Sequence, residues 1–137
     1  MKNYEDCVIF LLAKAYQKAN GSFKKRLLPY GLTPIQHLIL EALWEEDGQS
    51  AGDIGKKLVL DAATLSGVLD RLITGGWIVK ETDVGDKRIL RIHLTKKAMD
   101  LRPTLAEKRD QANQDLLASM TLEEKVLLKR LLKDIQT

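Results

Sequence analysis

The sequence contains one cysteine, Cys7, in 137 residues. A single thiol excludes an internal disulfide framework and a CxxC metal cluster. No apolar run reaches the length of about eighteen residues that a membrane-spanning helix needs. The N-terminus also lacks the basic, apolar and small-residue regions of a signal peptide. Together these absences predict a cytoplasmic protein with no membrane span.

Signatures of catalysis are missing as well. The sequence has no glycine-rich phosphate loop and no spacing of histidine, cysteine and acidic residues that suits a metal ion. It has two histidines, His37 and His93, and neither accompanies a recognisable nucleophile. His93 falls within an alternating strand pattern, which indicates a structural role. The sequence therefore predicts a protein that is not an enzyme and that uses no cofactor or metal.

The composition is that of a globular domain. Hydrophobic residues make up 45% and charged residues 30% of the chain. A chain of this length has material for one hydrophobic core and not for two. The net charge of +3 permits a nucleic-acid partner without requiring one.

Apolar residues recur every three or four positions in the first half of the chain, which predicts four helices. Their boundaries are Tyr4 to Leu28, Pro34 to the Asp47-Gly48 pair, Ser50 to Lys57, and Ala62 to Thr74. Local signals support these limits, because Thr33 and Gln36 have the spacing of a capping box and Asp61 can cap the fourth helix. The Gly75-Gly76 pair predicts its left-handed end.

The pattern then changes to strands. Residues 77–82 and 88–94 are rich in β-branched and aromatic side chains, and the polar turn 83–87 separates them. The third and fourth helices, joined by a short turn, predict a helix-turn-helix. A hairpin directly after it makes this a winged helix-turn-helix. The predicted fold is therefore mainly α with a small β-hairpin wing.

Two further helices end the chain. The first is predicted over 95–119, with a kink or break near Arg102 because Pro103 lies inside it. The second begins at a Thr121 capping box. The winged helix-turn-helix needs only 33–94, so the apolar faces of 1–32 and 95–137 are surplus for a monomer. The sequence predicts one domain whose terminal helices interlock in a two-fold homodimer.

The order of elements and several motifs resemble the MarR family of bacterial transcription regulators over essentially the whole chain. The family signature V-D-R-L…G-L-V-x-R…D-x-R…L-T is similar to Leu69-Asp70-Arg71-Leu72, Gly76-Trp77-Ile78-Val79-Lys80, Asp83 with Asp86-Lys87-Arg88, and Leu94-Thr95. Gly55, Lys80 and Ala98 depart from the family's usual alanine, arginine and glycine. The resemblance implies a dimeric repressor of a pseudopalindromic operator in double-stranded DNA, with half-sites about one helical turn apart.

The helix 62–74 is then expected to enter the major groove with its N-terminal residues at base edges. Thr64 and Ser66 are the candidate contacts there, with the alternative that their hydroxyls only favour the start of the helix. Lys56 and Lys57 on the preceding helix are candidate contacts to the DNA backbone.

The wing supplies the other candidate contacts. Arg88 is expected to enter the minor groove, and Lys87 to meet a phosphate. The resemblance implies that Asp86 orients Arg88, and Asp83 is a second candidate for orienting the wing. The alternative for Asp86, Lys87 and Arg88 is a solvated turn. Arg71 either contacts a phosphate or pairs with Asp83 inside the fold, and the sequence leaves both interpretations open.

Family members typically release DNA when a small phenolic or other aromatic ligand binds between the dimerisation helices and the DNA-binding lobe. Tyr16, Lys18, His37 and Trp44 are the candidate lining residues for a phenolic or carboxylate effector, and His37 is the candidate to hydrogen-bond an anionic ligand. The alternative is a satisfied or solvent-facing histidine at His37, and core or dimer packing for Tyr16 and Trp44.

Two other functions remain as alternatives. Cys7 suggests a redox-sensing regulator, because the family's peroxide sensors carry a reactive cysteine in the first helix. Aligned through Phe10-Leu11-Leu12, however, the sensor position falls on Ile9, and the assisting tyrosines fall on Phe23 and Pro34. The second alternative is a winged helix that only contacts proteins, which the cationic Arg88 argues against.

Overall fold

The computed structural model describes residues 3–137, which form six α-helices and one two-stranded sheet. Short 3-10 turns at Tyr4–Asp6 and Leu28–Tyr30 flank the first helix. The elements in chain order are α1 (Val8–Leu27), α2 (Pro34–Glu45), α3 (Ala51–Leu58), α4 (Ala62–Thr74), β1 (Ile78–Thr82), β2 (Leu90–Leu94), α5 (Lys96–Leu116) and α6 (Leu122–Ile135). The predicted fold class, mainly α with a β-hairpin wing, is confirmed.

Side-chain caps fix where the helices begin. At α2, the Thr33 hydroxyl accepts a hydrogen bond from the Gln36 amide at 3.3 Å, and the Gln36 side chain accepts one from the Thr33 amide at 2.9 Å. A reciprocal pair of this kind satisfies two backbone donors that a helix start otherwise leaves free. Single caps at α3, α4 and α5 and a second capping box at α6 come from Ser50, Asp61, Thr95 and Thr121.

The core forms where α4 and the hairpin meet α2. The inward face of α4 is Leu65, Val68, Leu69 and Leu72, at the spacing of one helical face, and each is at most 4% exposed. Ile39, Leu40 and Leu43 of α2 are fully buried, as is Ile92 of β2. Burial of an aliphatic side chain contributes roughly 1.5–3 kcal/mol, so this contact fixes the orientation of α4.

The hairpin is held along both sides. Its strands pair antiparallel, with Ile78 opposite Leu94 and Thr82 opposite Leu90. On the other edge of β2, the Gly48 amide donates to the Ile92 carbonyl and the Ile92 amide donates to the Gln49 carbonyl, both at 2.9 Å. The connection between α2 and α3 therefore anchors the wing at its base.

Two sequence expectations need correction. The first helix does not begin at Tyr4, because residues Tyr4–Asp6 form a 3-10 turn and Cys7 occupies the N-cap position of α1. Pro103 does not break its helix, since α5 continues from Lys96 to Leu116. Proline removes one backbone donor, but Ala98 before it and Leu105 after it are completely buried, so packing on both sides keeps the helix continuous.

The two ends of the chain are the least buried parts of the fold. Arg26 of α1 donates to Gln111 of α5 at 2.9 Å and pairs with Asp115, which joins the long helices. By contrast, no residue of α6 is buried. Within residues 3–137, no helix has both the length and the apolar content to cross a membrane.

The turn between α3 and α4 is strained. Val59 has φ 56° and ψ 52°, and it is the only residue other than glycine with positive φ between residues 3 and 137. The left-handed region brings Cβ close to the following carbonyl, which is most costly for a β-branched residue. Its side chain is 89% exposed, so packing does not compensate the strain.

Val59→Gly should raise the free energy of unfolding by about 0.5–1 kcal/mol, because glycine adopts this conformation without the Cβ contact. Urea unfolding followed by circular dichroism measures the change. The matched control is Val84→Gly, since Val84 is a fully exposed loop valine without positive φ. Destabilisation of similar size in both variants would contradict the strain assignment.

Candidate nucleic-acid interface

The outward face of α4 begins at a double hydrogen bond. Asp61 Oδ1 accepts from the Thr64 amide at 2.8 Å, and Asp61 Oδ2 accepts from the Thr64 hydroxyl at 2.9 Å. These bonds hold the pKa of Asp61 below its usual range. The Thr64 side chain is exposed, and its hydroxyl oxygen keeps its lone pairs free to accept from a ligand.

The other candidate contacts on the helices are exposed. Ser66 and Arg71 lie on the surface of α4, and Lys56 and Lys57 on the surface of α3. Lys56 and Ser66 line a groove of about 600 Å³ between the two helices. Among residues 3–137, Arg71 makes no ion pair, so its guanidinium is available to a phosphate.

Asp83 organises the wing turn. Its Oδ2 accepts from the amides of Gly85 and Asp86 at 3.0 and 2.9 Å, and its Oδ1 accepts from Arg91 Nε at 3.0 Å. The bond from Arg91, followed by those from the backbone, lowers the pKa of Asp83. The open interpretation that Arg71 pairs with Asp83 is therefore wrong, because Arg91 on β2 occupies that carboxylate.

Asp86 holds Arg88 at the wing. One carboxylate oxygen accepts from the Arg88 amide at 3.0 Å and from Nε at 3.1 Å, while the other accepts from an Nη at 3.1 Å. The Arg88 side chain is 90% exposed, and the bonds from its guanidinium and amide lower the pKa of Asp86. A bidentate carboxylate contact restricts the guanidinium plane while leaving its other face open. Lys87 beside it is exposed.

Sequence reasoning missed two basic residues at this surface. Lys80 on β1 lines the same groove as Ser66, and its Nζ is 3.6 Å from Asp70 of α4. Arg91 fixes the wing through Asp83. No local motif marks Arg91, but the hairpin register places it opposite Glu81 and near the turn, so strand pairing was the available signal.

A second site lies where α1, α2 and α5 meet the turn after α3. It is a cavity of about 730 Å³. Tyr16 and His37 line it, together with side chains that the sequence did not assign to a ligand site: Phe23, Lys24, Glu41, Leu60 and Arg109. Arg109 donates to Glu41 at 2.7 Å, and this pair joins α5 to α2 inside the cavity wall.

His37 is 2% exposed, and its ring packs edge-on against Phe23 and Trp44. Burial, and then the positive charge of Arg109, lower its pKa to about 4, although a hydrogen bond to the Leu105 carbonyl acts in the opposite direction. The ring is therefore neutral near pH 7. Its Nε2 is buried without a hydrogen-bond partner. A neutral nitrogen of this kind does not suit the anionic partner that the sequence suggested for His37.

Lys18 and Trp44 do not line this cavity, so the sequence prediction for them is wrong. Lys18 is exposed on α1. Trp44 is 8% exposed, and its indole donates to the Ala98 carbonyl at 3.2 Å, which places it in the core. Cys7 is half-buried, and within residues 3–137 no basic side chain is hydrogen-bonded to it.

Comparison with known proteins gives consistent results. The family model described as MarR family matches residues 30–89. The HTH-type transcriptional regulator MgrA of Staphylococcus aureus is 30% identical over 131 residues, which are 95% of this chain and 88% of that protein. The HTH-type transcriptional regulator TtmR of Methylorubrum extorquens is 36% identical over 94 residues, which are 69% of this chain but only 47% of TtmR.

Solved structures agree over nearly the whole chain. A probable transcriptional regulator from Pseudomonas aeruginosa superposes with a TM-score of 0.92 at 28% identity, covering 97% of this chain and 99% of that one. Bordetella bronchiseptica BpsR, whose DNA binding is regulated by 6-hydroxynicotinic acid, gives 0.91 at 26% identity, with 99% and 97% covered.

The pKa of His37 predicts how stability depends on pH. Between pH 6.5 and 4 the unfolded chain binds a proton that the folded chain excludes, so stability is complete above pH 6.5 and falls as the pH drops. The loss attributable to His37 should be about 2 kcal/mol between pH 7.5 and pH 5. Urea unfolding of the wild type and of His37→Gln at both values measures it. Equal losses in the two proteins would contradict the assignment.

Proposed function

We propose, from the premise that this chain belongs to the MarR family of DNA-binding transcriptional regulators, that it acts as a homodimeric, effector-released repressor. Each winged helix-turn-helix, residues 33–94, binds half of a pseudopalindromic operator. The segments 1–32 and 95–137 join the two copies.

In this proposal α4 enters the major groove. Its buried face is committed to the core, and the opposite face offers Thr64 and Ser66 near the N-terminus, where a recognition helix meets base edges. Lys56 and Lys57 are exposed on α3, and Arg71 is exposed on α4. All three contact phosphates of the DNA backbone.

Arg88 enters the minor groove. The observation that carries the proposal is an almost fully exposed guanidinium whose Nε and one Nη nonetheless donate to the Asp86 carboxylate, which also accepts from the Arg88 amide. Holding the Arg88 guanidinium in one orientation is of little use to an arginine that only contacts water. For an arginine that binds DNA, it reduces the side-chain entropy lost on binding. The narrow minor groove concentrates negative potential, which favours a guanidinium there. Lys87 contacts an adjacent phosphate.

The dimer buries the apolar faces that a single chain exposes. These side chains are Val8, Ile9, Leu11, Leu12 and Tyr16 near the start of α1, and Leu122, Val126, Leu127, Leu131, Leu132 and Ile135 along α6. A helix of this length without a buried face has little stability of its own in water. The same surface on both copies gives a closed two-fold assembly.

The cavity beside His37 is the proposed effector site. Leu60 lines both this cavity and the groove between α3 and α4, so an occupant contacts the turn that carries the strained Val59. An effector shifts the protein from DNA only if it binds the non-binding arrangement more tightly. Regulation of BpsR by 6-hydroxynicotinic acid supports a small aromatic acid as the effector.

Two substitutions in the wing test the DNA contact. Arg88→Ala should lower affinity for an operator duplex by roughly tenfold to hundredfold and reduce the salt dependence, because two guanidinium groups leave each dimer. Asp86→Asn should also weaken binding, although it removes negative charge. Fluorescence anisotropy with duplex from the chain's own promoter region, at several salt concentrations, measures both.

The controls separate position from charge. Lys96→Ala removes an equal charge at the start of α5, beyond the base of the hairpin, and should change affinity little. Asp53→Asn removes a negative charge from α3 and should leave affinity unchanged or raise it. Tighter binding by Asp86→Asn would show that Asp86 only repels DNA, and unaltered binding by Arg88→Ala would exclude the minor-groove contact.

The dimer has a separate test. Leu127→Glu with Leu131→Glu places two carboxylates four residues apart on the apolar face of α6 and should give a monomer at micromolar concentration, with operator affinity lost. Sedimentation velocity measures the mass. Val84→Glu adds one carboxylate at the exposed wing turn, away from α6, and should remain dimeric. A monomeric wild type, or a dimeric double variant, contradicts the proposal.

A further inference from the structure

The two carboxylates of the wing turn belong to one connected series of hydrogen bonds. Asp83 Oδ1 accepts from Arg91 Nε at 3.0 Å. Asp83 Oδ2 accepts from the amides of Gly85 and Asp86 at 3.0 and 2.9 Å. The Asp86 carboxylate then accepts from the amide, Nε and one Nη of Arg88. These two carboxylates therefore connect Arg91 on β2 to the exposed guanidinium of Arg88.

The backbone of Arg91 is fixed to the helix-turn-helix. Arg91 forms an antiparallel bridge with Ser50, the residue that caps α3. The next amide along β2, that of Ile92, donates to the Gln49 carbonyl at 2.9 Å. Arg91 also lies opposite Glu81 in the hairpin register. Its side chain consequently links a backbone that is held beside the start of α3 to the turn at the tip of the wing.

The inner pair of this series is better shielded from solvent than the outer pair. The side chains of Arg91 and Asp83 are 35% and 26% exposed, whereas that of Arg88 is 90% exposed. Partly buried ion pairs are screened less by water and salt than exposed ones. An exposed pair contributes little by itself. The orientation of Arg88 therefore depends on how firmly the turn beneath Asp86 is held.

A direct contact between Arg91 and a DNA phosphate is the competing explanation, because Arg91 is itself basic. Its Nε already donates to Asp83, however, and the charge of that carboxylate offsets the charge of the guanidinium. A phosphate approaching Arg91 would also meet the negative charge of Asp83. Both points favour a role for Arg91 within the wing.

We infer that Arg91 is a positioning residue for the minor-groove contact of Arg88. It acts through the carboxylates of Asp83 and Asp86 and does not touch the DNA itself. The inference rests on the proposed function of Arg88, and it adds a residue outside the wing turn on which operator affinity depends. Through Arg91, the position of the start of α3 also determines where the wing presents its guanidinium.

A double-mutant cycle on operator affinity separates the two roles. Arg91→Gln should lower the affinity by about three- to tenfold, because an Arg88 side chain that is no longer held loses more conformational entropy on binding. In an Arg88→Ala background the same substitution should change nothing, because no guanidinium remains to be positioned. Fluorescence anisotropy at a salt concentration where Arg88→Ala still binds gives the four affinities. The control Lys96→Gln removes a charge and an exposed ion pair with Asp100 and should have no effect.

Asp83→Asn tests the same series of bonds with the opposite change in charge. The asparagine oxygen still accepts from the backbone amides of the turn, but the charge-assisted bond from Arg91 is lost. Removal of a negative charge would by itself tighten DNA binding. Loss of positioning weakens it, and weaker binding is the expected result. Arg91→Lys keeps a cationic donor toward Asp83 and should recover part of the affinity that Arg91→Gln loses.

Nuclear magnetic resonance of the free protein measures the positioning without DNA. The heteronuclear NOE of the Arg88 Nε–H group reports motion on the picosecond to nanosecond timescale. It should fall in Arg91→Gln and in Asp83→Asn, and it should keep its wild-type value in Lys96→Gln. Circular dichroism of the same samples shows that each variant is folded, so a lower NOE belongs to the wing.

The possible results divide clearly. If Arg91→Gln weakens binding equally in the wild-type and Arg88→Ala backgrounds, Arg91 contacts DNA itself and the inference is overturned. An unchanged NOE, wild-type affinity of Arg91→Gln, or tighter binding by Asp83→Asn also overturns it. Unaltered affinity of Arg88→Ala instead removes the minor-groove contact of the proposed function, and the role of Arg91 in DNA binding with it.

Discussion

The burial of one face of α4 is the constraint on which the rest of the structure depends. Leu65, Val68, Leu69 and Leu72 pack against α2 and the base of the hairpin, and this contact determines which side chains of α4 face outward. The wing is fixed to the same body through Ile92 and the pairing of β2 with the connection after α2. Helix and wing base are consequently packed into one body, and this packing sets the spacing between the outward face of α4 and the hairpin.

Acidic residues at this surface serve as internal acceptors. Asp61 caps α4, Asp83 closes the wing turn and binds Arg91, and Asp86 holds Arg88. Hydrogen bonding lowers the pKa of each carboxylate, so each remains ionised and bonded. A net charge of only +3 is then a poor guide to affinity for DNA. The number of basic side chains that are exposed and oriented by a carboxylate matters more than the net charge of the chain.

Local signals in the sequence predicted most of the fold. The capping residues Thr33, Asp61 and Thr121 each need information from only three further positions, and all three caps are present. Contacts between residues far apart in the sequence were harder to predict. The partner of Asp83 was open until the hairpin register placed Arg91 beside it, and Arg109 reaches the cavity from a helix 68 residues beyond Glu41. The site residues on α4 and the wing remain predictions, because exposure alone does not identify a contact.

Two residues adopt conformations against their local preferences, for different physical reasons. Pro103 carries a strong local preference against helix interiors, but the buried residues on both sides outweigh it. The left-handed Val59 has no signal in the sequence, since valine is disfavoured in that conformation and only the short connection between α3 and α4 imposes it.

The direction of the Thr64 hydrogen bond restricts which groups the Thr64 hydroxyl is able to bind. Because the hydroxyl proton is committed to Asp61, the oxygen presents only lone pairs outward. In the major groove such an oxygen is complementary to the exocyclic amino groups of adenine and cytosine, and it is mismatched with guanine O6 and thymine O4. In the proposed complex, Asp61 thereby selects the hydrogen-bonding polarity of the base edge that Thr64 contacts, through the proton that it withholds from the groove.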